Sequence, residues 1–249
     1  MAEPLVLLHG IGSHRHMWAP VLSLLEPRYD VHALDLPGFG DRPPLPAGDE
    51  PSPQRLARAV AEILDERGIE TAHVAGNSLG GWVALELAKL GRTRSVCALS
   101  PAGFWQGWER AFTRVSLVNA RTLTRALLPV AGPVNAKPAV RKAMYGQFFE
   151  HGERLTHEEA VASARNLATC PGWRPTLQAM NAHTFEGGDQ VPAPVTIAWG
   201  ERDKLLLRRQ AARAKAALPQ ARHIVLTGCG HVPTYDDPAM VTDAIVTSA

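Results

Sequence analysis

Short, largely apolar runs alternate along this chain with longer stretches whose apolar residues recur every three or four positions. The runs fall at residues 5–8, 31–34, 73–75, 96–99, 195–199 and 223–226, and none has an interior Gly or Pro. Strands of this kind, separated by helices, predict a parallel sheet covered on both faces. The helical stretches have recognisable ends. Residues 53–67 place Leu56, Val60, Ile63 and Leu64 at helical spacing, open with Ser52 before Pro53, and stop at Gly68. A second helix is expected over 79–90 before Gly91, a third over 205–218 before Pro219, and a last over 238–246.

From about Gly103 to Gly188 the rhythm changes. No convincing strand occurs there, and amphipathic stretches read as three or four helices broken near Pro129–Pro133, Gly152 and Pro171. The expected organisation is a core of residues 1–102 and 189–249, with residues 103–188 inserted between two strands as a helical cap. The Pro-rich segment Val191-Pro192-Ala193-Pro194 marks the return to the sheet.

Composition narrows the picture only slightly. A chain of 249 residues with 45% hydrophobic content can bury a sizeable core. Its 26 basic and 24 acidic residues nearly balance, which gives no reason to expect nucleic acid or an anionic membrane as partner. Three cysteines, Cys97, Cys170 and Cys229, cannot all pair within one chain and match no metal motif, so free thiols are expected. The N-terminus shows no secretory pattern, and no apolar stretch approaches the roughly 18 residues of a membrane span. The expected location is cytoplasmic.

The chemistry concentrates at the ends of the strands. Gly76-Asn77-Ser78-Leu79-Gly80 sits between a strand and a helix, the context of a G-x-S-x-G turn that lifts a serine clear of the sheet. Glycines on either side permit so tight a turn. A serine hydroxyl needs an adjacent base, and a third group must orient that base. Among ten histidines, His231 lies in the glycine-rich loop after the last strand, where sites collect in open parallel sheets. Trp199-Gly200-Glu201-Arg202-Asp203 offers two carboxylates past the preceding strand, of which Asp203 is favoured and Glu201 is expected to turn toward solvent or Arg202. The first strand ends in His9-Gly10-Ile11-Gly12. The backbone N–H groups of Ile11 and Leu79 are therefore the expected oxyanion donors, with His9 bracing the loop.

Taken together, Leu7-Leu8-His9-Gly10, Asp35-Leu36-Pro37-Gly38-Phe39-Gly40, Gly76–Gly81, Trp199–Asp203 and Gly230-His231 resemble the α/β-hydrolase superfamily, in particular its lid-bearing serine esterase-like branch. Members often carry two further strands before the His-Gly strand, so a sheet of about six strands is expected here. Asp41-Arg42 also stands where a small polar residue usually follows the Gly-Phe-Gly turn. The resemblance implies no metal and no organic cofactor, and a small-molecule substrate. It implies hydrolysis of an apolar ester or lactone through an acyl-enzyme on Ser78, with His231 and Asp203 completing a triad. A carbon–carbon bond hydrolase of ring-cleavage products and a ligand receptor on a retired hydrolase fold are the alternatives. His14, Trp105, Trp108 and Trp173 are the candidate substrate contacts.

Overall fold

A computed structural model describes residues 2–248. Six strands form one sheet: β1 (Glu3–Leu8), β2 (Tyr29–Leu34), β3 (Ala72–Asn77), β4 (Thr93–Leu99), β5 (Val195–Gly200) and β6 (Arg222–Leu226). Every pairing is parallel, in the order β2-β1-β3-β4-β5-β6. All six match the apolar runs of the sequence, extended by one to three residues at one or both ends.

Alternate residues feed two cores, which is why the runs read as continuously apolar. Val6, Leu8, Val74, Val96, Ala98 and Ile197 point to one face, where they meet α2 (Pro53–Glu66) and α3 (Leu79–Lys89). Leu5, Leu7, Ala75, Cys97, Leu99 and Ala198 point to the other, under α1 (Ala19–Leu25) and α10 (Pro238–Val246). The cap of α2 agrees with its sequence: Ser52 Oγ accepts the Arg55 amide at 3.2 Å and Pro53 takes the first turn.

Between β4 and β5 the chain forms α4 (Trp108–Leu127), α5 (Ala131–Asn135), α6 (Pro138–Tyr145), α7 (His157–Thr169) and α8 (Trp173–Ala182), with no strand among the described residues. A reciprocal capping box starts α7: Thr156 Oγ1 accepts the Glu159 amide at 3.2 Å, and Glu159 Oε2 accepts the Thr156 amide at 2.8 Å. Such a cap stabilises a helix by about 1 kcal/mol.

The insertion holds five helices where three or four were expected, and two helices of the core also differ from expectation. The helix expected from 205 starts four residues later, as α9 (Arg209–Ala217), because Asp203 Oδ1 accepts the amides of Leu205 and Leu206 at 2.9 and 2.8 Å and holds that stretch as a turn. The seven-residue α1 was not anticipated. It is too short to show a period, and only its buried Val21 and Leu25 lie on the core side.

Candidate active site

The strand order reverses direction between β1 and β3, so the carboxyl ends of these two strands flank a crevice, the usual place for a ligand in an open parallel sheet. Both elements of interest sit there: the loop at Gly10 after β1, and Ser78 between β3 and α3.

Ser78 has φ 56° and ψ −116°, a backbone conformation costly for a residue with a Cβ. Its surroundings hold it there. The Ser78 amide donates to Leu99 O at 2.9 Å, and its carbonyl accepts from Trp82 and Ala102 at 3.1 and 3.0 Å. A Cβ on Gly76 would strike the carbonyl of Gly80, and one on Gly80 would strike those of Leu8 and His9. These two glycines are therefore required by close backbone approach. Gly10 also lies against the serine: a Cβ there would be 3.2 Å from Ser78 Cβ.

His231 Nδ1 lies 2.8 Å from Asp203 Oδ2, with both side chains almost fully buried. A carboxylate only accepts, so Nδ1 carries the proton and donates it, which leaves Nε2 as the basic nitrogen. The other oxygen of Asp203 is taken by the Leu205 and Leu206 amides, so the carboxylate cannot rotate away. Asn77 Nδ2 donates to His231 O at 2.8 Å and to Leu99 O at 3.2 Å, tying the histidine loop to the serine turn. Glu201 accepts the Gly228 amide at 2.9 Å and takes no part in the pair.

Ser78 and His231 line one cavity of about 110 Å³, together with Gly10, Ile11 and Gly12. No hydrogen bond joins Ser78 Oγ to His231 among the described residues; such bonds are often long in unliganded enzymes and tighten with substrate. The amides of Ile11 and Leu79 donate to no protein group among the described residues, and Ile11 lines the cavity.

His9 acts as a brace. Its Nε2 accepts the Leu36 amide at 3.0 Å, so the ring is neutral and its Nδ1–H donates to Gly10 O at 2.7 Å. Burial pulls its pKa down from 6.5 to about 4. Asp35 nearby accepts the Arg15 and Asp41 amides at 2.6 and 3.1 Å, and its pKa is lowered although burial acts the other way.

None of the four expected substrate contacts is among the residues that line the cavity at Ser78. Trp105 is 1% exposed in the core, edge-on to Trp82 at 5.8 Å, with Nε1 donating to His183 O. Trp108 is 58% exposed on the outside of α4, under Arg209. Trp173 lines a different groove and stacks under Arg121 at 4.6 Å. His14 packs on His16, with their Nδ1 atoms 3.1 Å apart. Aromatic content marked these tryptophans, but large apolar rings are as readily recruited to fill helix junctions. The wall is built instead from Met17, Leu117, Ala120, Phe148, Phe149, Leu155, Leu167, Leu205 and Val232, with Tyr145 and Tyr235. Both tyrosine hydroxyls are engaged, that of Tyr145 with Asn135 Oδ1 and Ala160 O and that of Tyr235 with Glu159 Oε1.

A further residue escaped the sequence reading. Asp236, 4% exposed, accepts the amides of Gly230 at 2.7 Å, Glu150 at 3.1 Å and His151 at 2.7 Å. Val232 N also donates to Phe148 O at 2.8 Å, so the loop bearing His231 is fastened to the segment between α6 and α7. The only sequence signal was a carboxylate a few residues beyond the histidine.

A serine on a strained strand-to-helix turn, an imidazole bonded to a buried carboxylate, and a parallel sheet that brings their loops to one edge define a hydrolase of the nucleophile-elbow class. The chain belongs to the alpha/beta hydrolase family, whose model matches residues 5–244. It is 32% identical over 243 residues to the dihydrolipoyllysine-residue acetyltransferase component of the acetoin cleaving system of Cupriavidus necator; the match covers 93% of this chain but only 59% of that protein's length. It is 30% identical over 195 residues to an epoxide hydrolase of Mycobacterium tuberculosis, covering 76% of this chain and 91% of that one. A putative lipase from Acinetobacter baumannii superposes with a TM-score of 0.78 at 21% identity, covering 99% of this chain and 83% of the other.

Proposed function

We propose that the protein hydrolyses an ester or lactone of an apolar small molecule through an acyl-enzyme on Ser78. The observation that carries this reading is the shared cavity of Ser78 and His231, with His231 Nδ1 held 2.8 Å from the buried Asp203. In this mechanism Ser78 Oγ attacks the carbonyl carbon while His231 Nε2 takes its proton. The Ile11 and Leu79 amides stabilise the oxyanion at the positive end of α3. His231 then protonates the leaving oxygen, which departs as an alcohol and leaves the acyl group on Ser78. Water enters, gives a proton to His231 and attacks the acyl carbon; the bond from Ser78 Oγ to that carbon then breaks as His231 returns the proton to Oγ, and the acid is released.

Serine at the elbow favours acyl transfer over epoxide opening through an alkyl-enzyme ester, which needs a carboxylate nucleophile. The apolar wall, with both tyrosine hydroxyls already bonded, favours an uncharged substrate. Helices α4–α8 serve as the cap that supplies most of this wall. Wild-type protein should turn over a p-nitrophenyl ester of short to medium chain length. Ser78→Ala should fold normally and lose about 10⁴-fold or more of kcat/KM; retention of near wild-type hydrolysis would refute the assignment.

A further inference from the structure

A second groove, separate from the cavity at Ser78, measures about 410 Å³, lies between α4 and α8, and is lined by Arg114, Arg121, Arg125 and Arg174 over Val118, Leu177 and Trp173. No carboxylate lines it. The ion pairs of this region run elsewhere, from Glu109 to Arg209 and Arg213 and from Glu150 to Arg202 and Lys204. None reaches Arg114, Arg125 or Arg174 among the described residues.

Four guanidinium groups facing one groove repel each other unless an anion joins them. At Arg121, burial and then the charges of Arg125 and Arg174 lower the pKa. Arg121 is itself fixed: it donates to the carbonyls of Leu167, Ala168 and Cys170 at the end of α7 and lies over the Trp173 ring. Arg114, Arg125 and Arg174 are exposed and free to move onto a ligand. A further positive end adds to theirs, since α8 begins at Trp173 with no side-chain cap and no acidic residue in its first turn.

We propose that this groove is a binding site for a multiply charged phosphate-bearing ligand. Three free guanidinium forks offer more donors than one carboxylate can accept, whereas phosphate oxygens take them bidentately. Val118, Leu177 and the Trp173 edge supply an apolar bed for the body that carries the phosphate. The site is separate from the cavity at Ser78 yet shares a wall with it. Along α4, Arg114, Val118, Arg121 and Arg125 form the groove stripe, while Leu117, Ala120 and Thr124 form the cavity stripe. The proposal does not rest on the role of Ser78.

The test is calorimetric titration of the full chain with inorganic pyrophosphate, beside co-sedimentation with vesicles of phosphatidylcholine alone or mixed with phosphatidic acid. The variants are the triple substitution Arg114→Gln, Arg125→Gln, Arg174→Gln, and Arg58→Gln as a single-charge control on the exposed surface of α2. Arg121 is left intact because it closes α7. Wild type and Arg58→Gln should bind pyrophosphate, and the triple variant should bind it about tenfold or more weakly with an unchanged melting temperature. Binding confined to phosphatidic acid vesicles, and lost in the triple variant, would support the same site with a lipid headgroup as the source of the phosphate. Equal binding by wild type and triple variant, or binding to neither probe, would overturn the proposal.

Discussion

At the scale of single residues, the site depends on histidines whose hydrogen-bond partners select one tautomer. Asp203 accepts on both oxygens, which fixes the His231 proton on Nδ1. His9 is fixed in the same tautomer because Leu36 N–H occupies its Nε2. This second case gives a pH dependence with a definite sign. His9 has its pKa near 4 in the folded protein and near 6.5 unfolded. Between those values the unfolded chain binds a proton that the native state refuses, so stability falls as pH falls from 6.5 toward 4, by about 3 kcal/mol at most. Melting temperature measured across that range should show the slope, and His9→Gln should flatten it. An equally steep profile in His9→Gln would remove His9 as its source.

The serine turn and the His231–Asp203 pair were legible because their places are set by local geometry: Gly76 and Gly80 flank Ser78, and the loops after β5 and β6 hold Asp203 and His231. The substrate contacts were not legible. Trp105 and Trp173 read as candidates for a pocket because they are aromatic, and nothing in a linear pattern says which side of a helix junction a ring will fill.

Among the elements, α4 carries most of the consequences for selectivity. Its Leu117, Ala120 and Thr124 face the cavity, and Trp108 stands outside it. The cavity of about 110 Å³ is small beside the roughly 300–1,000 Å³ of typical ligand sites, so a long acyl chain requires α4 and its neighbours to move. Ala120→Phe should therefore lower kcat/KM for a p-nitrophenyl octanoate about tenfold or more while affecting the acetate less. Trp108→Ala should leave both esters unchanged. Comparable loss on both esters from Trp108→Ala would return that tryptophan to the substrate path.

The six strands and α2, α3 and α10 were legible as elements because apolar runs and caps are local. The start of α9 was not, since two backbone amides are held by Asp203 rather than by a helix. The five-helix insertion was legible as an interruption of the strand rhythm, but its internal packing depends on long-range contacts such as Arg121 with the end of α7.

Over the whole molecule, the topology places the serine turn and the loop after β1 on either side of the point where strand order reverses, and the histidine loop reaches them from the far edge at β6. Asp236 joins that histidine loop to the insertion through three amides. Asp236→Asn replaces one acceptor by a donor, so at least one buried amide loses its partner, at about 1–3 kcal/mol. The variant should melt at lower temperature and lose kcat by about tenfold, while fluorescence of the core tryptophans stays native-like. Full activity in Asp236→Asn would show that His231 is positioned without this tie.

The claim on which the chemistry rests is that Ser78 Oγ is the activated nucleophile. Reaction with a fluorophosphonate followed by peptide mass spectrometry addresses it without knowledge of the natural substrate. One adduct is predicted, on the peptide containing Ser78, with none formed by Ser78→Ala and greatly slowed labelling in His231→Ala. An adduct on another residue, or undiminished labelling of Ser78→Ala, would contradict the account.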